Sequence, residues 1–184
     1  TGVVTYGPNA TLQYNKPAAY TATSEEWITT FAGTGGVIIR NTGAITTNSA
    51  KTLSAGVPLT INAGGQLTIA GFNFTVTWTT TISGTLNINS TTGTKNFYGL
   101  VTINTGATWN NSVNEAVTFR GGITNNGTFT AGTGIHTFDT NAQAVYGTIS
   151  IPSVTVTGIT LTNYGNLTVG TALAGTGVLT NTGT

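Results

Sequence analysis

From Gly36 onward the chain is built of short runs in which apolar residues alternate with Thr or Asn. In "FTVTW" (74–78) Phe74, Val76 and Trp78 point to one side while Thr75 and Thr77 point to the other. This is the period of a strand with one buried face, and it places Trp78 with the core. The runs "GVIIRN" (36–41), "PLTIN" (58–62), "QLTIAG" (66–71), "TLNIN" (85–89), "LVTIN" (100–104), "AVTFRG" (116–121) and "SVTVTG" (153–158) share the pattern. Each is bounded by Gly or Asn, the residues that tolerate the left-handed conformation of tight corners. The chain therefore reads as all-β.

Spacing narrows the architecture. Ile61 is followed by Ile69 in a similar setting, and "VTF" at 117–119 is echoed by "HTF" at 136–138, 19 residues later. Strands every seven to ten residues, with like rungs returning after about 20, predict a solenoid with two or three short strands per coil. The expected fold is a right-handed parallel β-helix with Ile, Val and Leu inside and Thr and Asn ladders outside. A β-sandwich uses strands of the same length and is the alternative. Residues 1–35 read as a less regular N-terminal capping part and 36–184 as repeat coils of one domain. The single helical signal is "TSEEW", with Ser24 as N-cap and Glu25 and Glu26 in the first turn.

Composition changes the picture in one respect: the polar half of the pattern is uncharged. Of 184 residues, 44 are Thr and 19 are Asn, while only 5% are charged against about 25% in ordinary domains. The five basic residues, Lys16, Arg40, Lys51, Lys95 and Arg120, are scattered, so no cluster exists to neutralise a nucleic-acid backbone. No apolar run approaches the roughly 18 residues of a membrane helix, and an integral membrane protein is not expected. Cysteine is absent, which excludes disulfides and thiolate metal sites. A beginning of "TGVVTYGPN" suggests a processed protein or an excised piece, and the composition suits an extracellular setting.

Candidate chemistry is sparse. His136 and Asp139 are the only His and the only Asp, but residues three apart on a strand face opposite sides and do not converge. The Thr register directs His136 outward, although Phe138 shares its face. The acids are otherwise Glu25, Glu26 and Glu115. Glu25 and Glu26 are adjacent and diverge, and Glu115 sits in the turn-like "NSVNEA". A polysaccharide-cleaving site wants carboxylates close together, so no enzyme, catalytic residue, metal ligand or cofactor is expected. Tyr6, Tyr14, Tyr20 and Trp27 form an aromatic group that could stack on sugars or cap the open end of the stack. Thr-x-Thr units at 75–77, 155–157 and 160–162 raise ice binding, because flat Thr ranks on solenoids can dock on ice. Their spacing does not place them at one point of successive coils.

The segment "TYGPNATLQYNKPAAYTATSEEW", through Tyr6-Gly7, Thr11 to Asn15 and Glu26-Trp27, resembles a recurring segment of very large Bacteroidota surface proteins. "NNGTFTAGTGIHTF" and "NLTVGTALAGTGVLTNTGT" are similar to repeat units of the same proteins. The resemblance implies export to the cell surface or medium, commonly by the type IX route, and a role in adhesion or as a stalk. The expected function is thus a non-enzymatic extracellular structural or adhesive solenoid, stacking end to end or forming part of a longer stalk. Its expected partners are copies of itself or adjoining repeats, met through open solenoid ends, and surface glycans. A carbohydrate-binding module is the alternative, and an ice-binding protein the third reading.

Overall fold

A computed structural model describes residues 4–184. Its strands are short and all pair in parallel, rung upon rung, in a β-solenoid of three faces. Face 1 begins with Thr11–Asn15, face 2 with Tyr20–Thr21 and face 3 with Thr30–Phe31. Each strand bonds to the strand one coil later on the same face. Leu12, Val37, Leu59, Thr80, Val101, Ile123, Val145, Asn163 and Asn181 stack in one column of face 1. The column advances by 25 residues in the first coil, by 21 or 22 in the next five and by 18 in the last two. The β-sandwich alternative is thereby replaced by the stack of parallel coils.

The shortening to 18 residues has a visible cause. Early coils turn their corners with Gly- and Asn-rich loops, whereas the strand Gln143–Thr157 runs without a break from face 1 to face 3. That strand joins the ladders of those two faces into one 16-stranded sheet. Face 2 keeps its own six-stranded ladder, which ends at Thr128–Thr130. Gly147 turns the corner of this strand with φ of +82°, and a Cβ there would run into the Asn125 carbonyl. Only glycine meets both conditions without strain.

An aromatic row runs along the axis of the interior. Trp27, Phe74, Phe97, Phe119 and Phe138 follow one another, with centroids 5.5 to 6.2 Å apart. Trp109 and Phe129 pack beside them. Phe97, Phe119 and Phe138 share one column, the stacking of like residues that parallel in-register pairing enforces, while Trp27 and Phe74 join the row from outside that column.

The N-terminal part contributes the first coil, in which Thr11–Asn15 pairs residue for residue with Gly36–Arg40. Three expectations are corrected by the fold. No helix forms among the described residues; the helical signal is spent in one turn. Its cap is Thr23, not Ser24: the Glu26 amide donates to Thr23 Oγ1 and the Thr23 amide to Glu26 Oε2, both at 3.3 Å. This reciprocal pair is a capping box, and the β-branched Ile28, Thr29 and Thr30 return the chain to a strand.

Trp78 is 51% exposed. Strand geometry ends at Val76, and the Thr77 hydroxyl donates to the Leu53 carbonyl at 2.7 Å, so the alternation does not carry through to Trp78. His136 is the third correction. It is fully buried and shares the inner face with Phe138, while Ile135 is 54% exposed.

Candidate functional site

The N-terminal aromatics form a closed cap. Tyr14 lies 6.0 Å from Trp27 and 6.2 Å from Tyr20 between ring centroids, and Tyr6 meets Phe31 edge-on at 4.9 Å. Glu26 ties the group together: the Tyr20 hydroxyl donates to its carboxylate at 2.7 Å and the Tyr6 hydroxyl to its backbone carbonyl. Burial pushes the Tyr14 phenol well above its ordinary range, with the Glu26 charge adding to the effect. The Tyr20 phenol is raised chiefly by its hydrogen bond to Glu26. Trp27 and Tyr14 are buried, so neither presents a ring face to a sugar. Tyr6 and Tyr20 are half-buried and engaged with Glu26.

His136 and Asp139 are not brought together. His136 belongs to the inward column Lys51, Phe74, Lys95, Val117, His136, Val154 at the entrance of face 3. Its Nδ1–H donates to the Gly134 carbonyl at 2.9 Å, and Nε2 has no partner. Burial therefore holds its pKa below 6.5, and the ring stacks on Phe119 at 6.1 Å as a neutral aromatic. Asp139 points outward and takes Arg120 of the preceding coil in a bidentate pair, 2.6 and 3.2 Å. That guanidinium lies 4.3 Å over the Tyr98 ring one coil further back. The contact with Arg120 holds the Asp139 carboxyl below its ordinary range.

The same inward column carries polar groups that the sequence pattern does not reveal. Lys51 Nζ donates to the Trp27 carbonyl and to Ser49 Oγ, the latter at 2.9 Å. Lys95 Nζ donates to the Thr92 carbonyl at 2.8 Å and lies 3.7 Å from Glu115. Burial outweighs the partner in both members of that pair, lowering Lys95 and raising Glu115. Asn111 bridges the Glu115 and Ala131 carbonyls at 2.8 Å each. These groups satisfy corner carbonyls between faces 2 and 3, which otherwise would be buried unpaired. Among the described residues no group of three His, Cys, Asp or Glu side chains converges to hold a metal.

The outer surface is ordered by the same register. On face 1, Thr60, Thr81, Thr102 and Thr124 stack in four successive coils. Two residues on stand Asn62, Ser83, Asn104 and Asn126, and their amides continue the ladder onto the carbonyls of Ile39, Ile61, Ile82 and Ile103. Of the Thr-x-Thr units noticed in the sequence, Thr75 and Thr155 share a column of face 3 four coils apart, while 160–162 lies on face 1, so they do not stand in successive coils; the face 1 residues do. At the C-terminal side the same column ends in Tyr146 and Tyr164, rings parallel within 10° at 5.1 Å.

The two ends of the stack differ. The N-terminal core is closed by the aromatic cap. At the other end Leu173 and Val178 are 53% and 57% exposed, and Leu173 borders a hollow lined also by Val156, Gly177 and Leu179. The strands Asn166–Ala174 and Val178–Asn181 each pair with one strand only, as Thr11–Asn15, Tyr20–Thr21 and Thr30–Phe31 do at the N-terminal end, so the difference lies in what covers the core.

No protein-family model matches the chain, and neither curated proteins nor solved structures offer a match.

Proposed function

We propose that the chain is a non-enzymatic structural or adhesive element of an exported, surface-exposed protein, a stiff β-solenoid that is lengthened at its C-terminal end. The asymmetry of the two ends carries this reading. Both ends carry one-sided strand edges, but Trp27, Phe31 and Tyr14 are sealed beneath one, while the other leaves the inward-facing Leu173 53% exposed beside its edge. An edge of this kind pairs with a further strand and covers its apolar neighbours in the same step. The incoming coil belongs to adjoining repeats of a longer stalk or to another copy of the chain.

Three observations support a structural role. The titratable interior groups are spent on corner carbonyls or on one another. His136 and Asp139 face opposite ways. The resemblance of the Tyr6–Trp27 segment to large Bacteroidota surface proteins points to the same kind of setting. The N-terminal aromatics serve as the cap in this account and not as a glycan site.

Sedimentation velocity over a wide concentration range tests the proposal. The chain associates with rising concentration, and Val178→Lys with Leu179→Lys at the open end abolishes association while leaving the circular dichroism unchanged. A wild-type chain that stays monomeric throughout contradicts it.

A further inference from the structure

We infer that the outer surface of face 1 is an ice-binding surface, an activity that goes beyond the structural role above. The basis is two-dimensional order. Thr60, Thr81, Thr102 and Thr124 repeat once per coil, in strict register and without a break. Adjacent parallel strands lie about 4.8 Å apart, and alternate residues along a strand about 6.6 Å apart. The Thr column and the Asn or Ser column beside it therefore form a net of polar groups with two fixed repeats. A soluble ligand meets one or two points of such a net. A crystalline solid meets all of them at once, so many weak contacts add without separate ordering costs.

The chemistry of the net selects ice among solids. Thr presents a hydroxyl and a methyl together, so it both bonds to and orders the water beside it. Its β-branched side chain has few rotamers, so the hydroxyls are ordered before any partner arrives. The second column is tied laterally, with Asn104 Nδ2 donating to Ser83 Oγ at 2.9 Å. Behind the net the strands are backed by Ile61, Ile82 and Ile103, all fully buried, so the surface cannot yield to a mismatched partner. No charged residue stands in either column over these four coils; charges would hold their own hydration shells. Aromatic faces, which a crystalline polysaccharide would need for stacking, are missing from the two columns over the four coils; the exposed Trp78 and Tyr98 stand outside the columns, and Arg120 covers the ring of Tyr98. Tyr146 and Tyr164 at the margin spend their faces on each other.

Face 3 provides an internal control. It also carries an outward column of Thr30, Thr52, Thr75, Asn96, Thr118, Thr137 and Thr155. That column is interrupted by Asn96 and flanked by Tyr98, Arg120 and Asp139.

The test uses the whole chain in assays of ice recrystallisation and thermal hysteresis, with Thr81→Lys/Thr102→Lys on face 1 and Thr75→Lys/Thr118→Lys on face 3. All four positions face solvent, and thermal melts confirm that the variants fold. The expected result is activity in the wild type and the face 3 variant, and its loss in the face 1 variant. An inactive wild type overturns the inference, as does equal loss in both variants. Retention on microcrystalline cellulose or chitin without any effect on ice overturns it in favour of a polysaccharide surface.

Discussion

The ring of Tyr14 rests against that of Trp27, 6.0 Å between centroids, and both are closed off from solvent at the N-terminal end of the stack. Trp27 also touches Phe74 at 6.2 Å, so it is the first member of the aromatic row that runs down the axis. Trp27→Ala should destabilise the chain by about 3–5 kcal/mol, as for other large aromatic truncations in a core. Denaturant unfolding checks this. A loss within about 0.5 kcal/mol, the range of ordinary surface substitutions, would mean the cap is not part of the core.

Thr80 stands inside the solenoid between Leu59 and Val101, fully buried, with no partner for its hydroxyl. Thr80→Val removes an unsatisfied polar atom and keeps the shape of the side chain. It should raise stability by about 1 kcal/mol, measured as a shift of the denaturation midpoint at unchanged slope. Destabilisation would show that the hydroxyl has a partner.

Gly147 and Gly158 both have positive φ, +82° and +66°, but only Gly147 would drive a Cβ into a neighbour, the Asn125 carbonyl. Gly158 has nothing within 4 Å of that position. Gly158→Ala should therefore cost only the conformational penalty, about 1 kcal/mol. Gly147→Ala adds backbone displacement, for a total of about 3 kcal/mol. Equal costs in thermal melts would contradict the tight corner at the face 1 to face 2 turn.

His136 makes the fold sensitive to acid. Its folded pKa is lowered by burial from 6.5, so below pH 6.5 the unfolded chain takes up a proton that the folded chain refuses. The stability held by the neutral ring is complete above pH 6.5 and is lost as pH falls toward the folded value. Glu115, raised by burial, acts in the opposite sense as pH falls toward 4.5, and its contribution is common to wild type and variant. The melting temperature of wild type relative to His136→Phe should fall between pH 7 and 5. A constant difference would place the imidazole in contact with water.

Much of this was legible in the sequence because strand alternation and coil period are written in the same residues. The echo of "VTF" by "HTF" is a true rung, with Val117 over His136, Thr118 over Thr137 and Phe119 over Phe138. The echo of Ile61 by Ile69 is a different relation, since those residues lie on successive faces of one coil. What stayed hidden is where polar residues point inward. His136, Lys51 and Lys95 occupy core positions because corner carbonyls or aromatic neighbours receive them, and Thr80 because its column places it between Leu59 and Val101. A binary pattern assigns each of them to solvent. The cap was visible as an aromatic cluster, but its first coil was masked by the prolines and the uneven spacing of residues 8–20. The register of the face 1 Thr column depends on corner lengths that vary by a residue between coils, so the Thr-x-Thr units alone did not reveal it.

The most direct test of the account is hydrogen exchange read by mass spectrometry at low and high protein concentration. Amides of Asn166–Ala174 and Val178–Asn181 should gain protection as concentration rises, as a new coil pairs with the open edge. Those of Thr11–Asn15, beneath the aromatic cap, should not change. Protection of the terminal strands that is independent of concentration, in a chain that stays monomeric, would contradict the claim that the solenoid is lengthened at its C-terminal end.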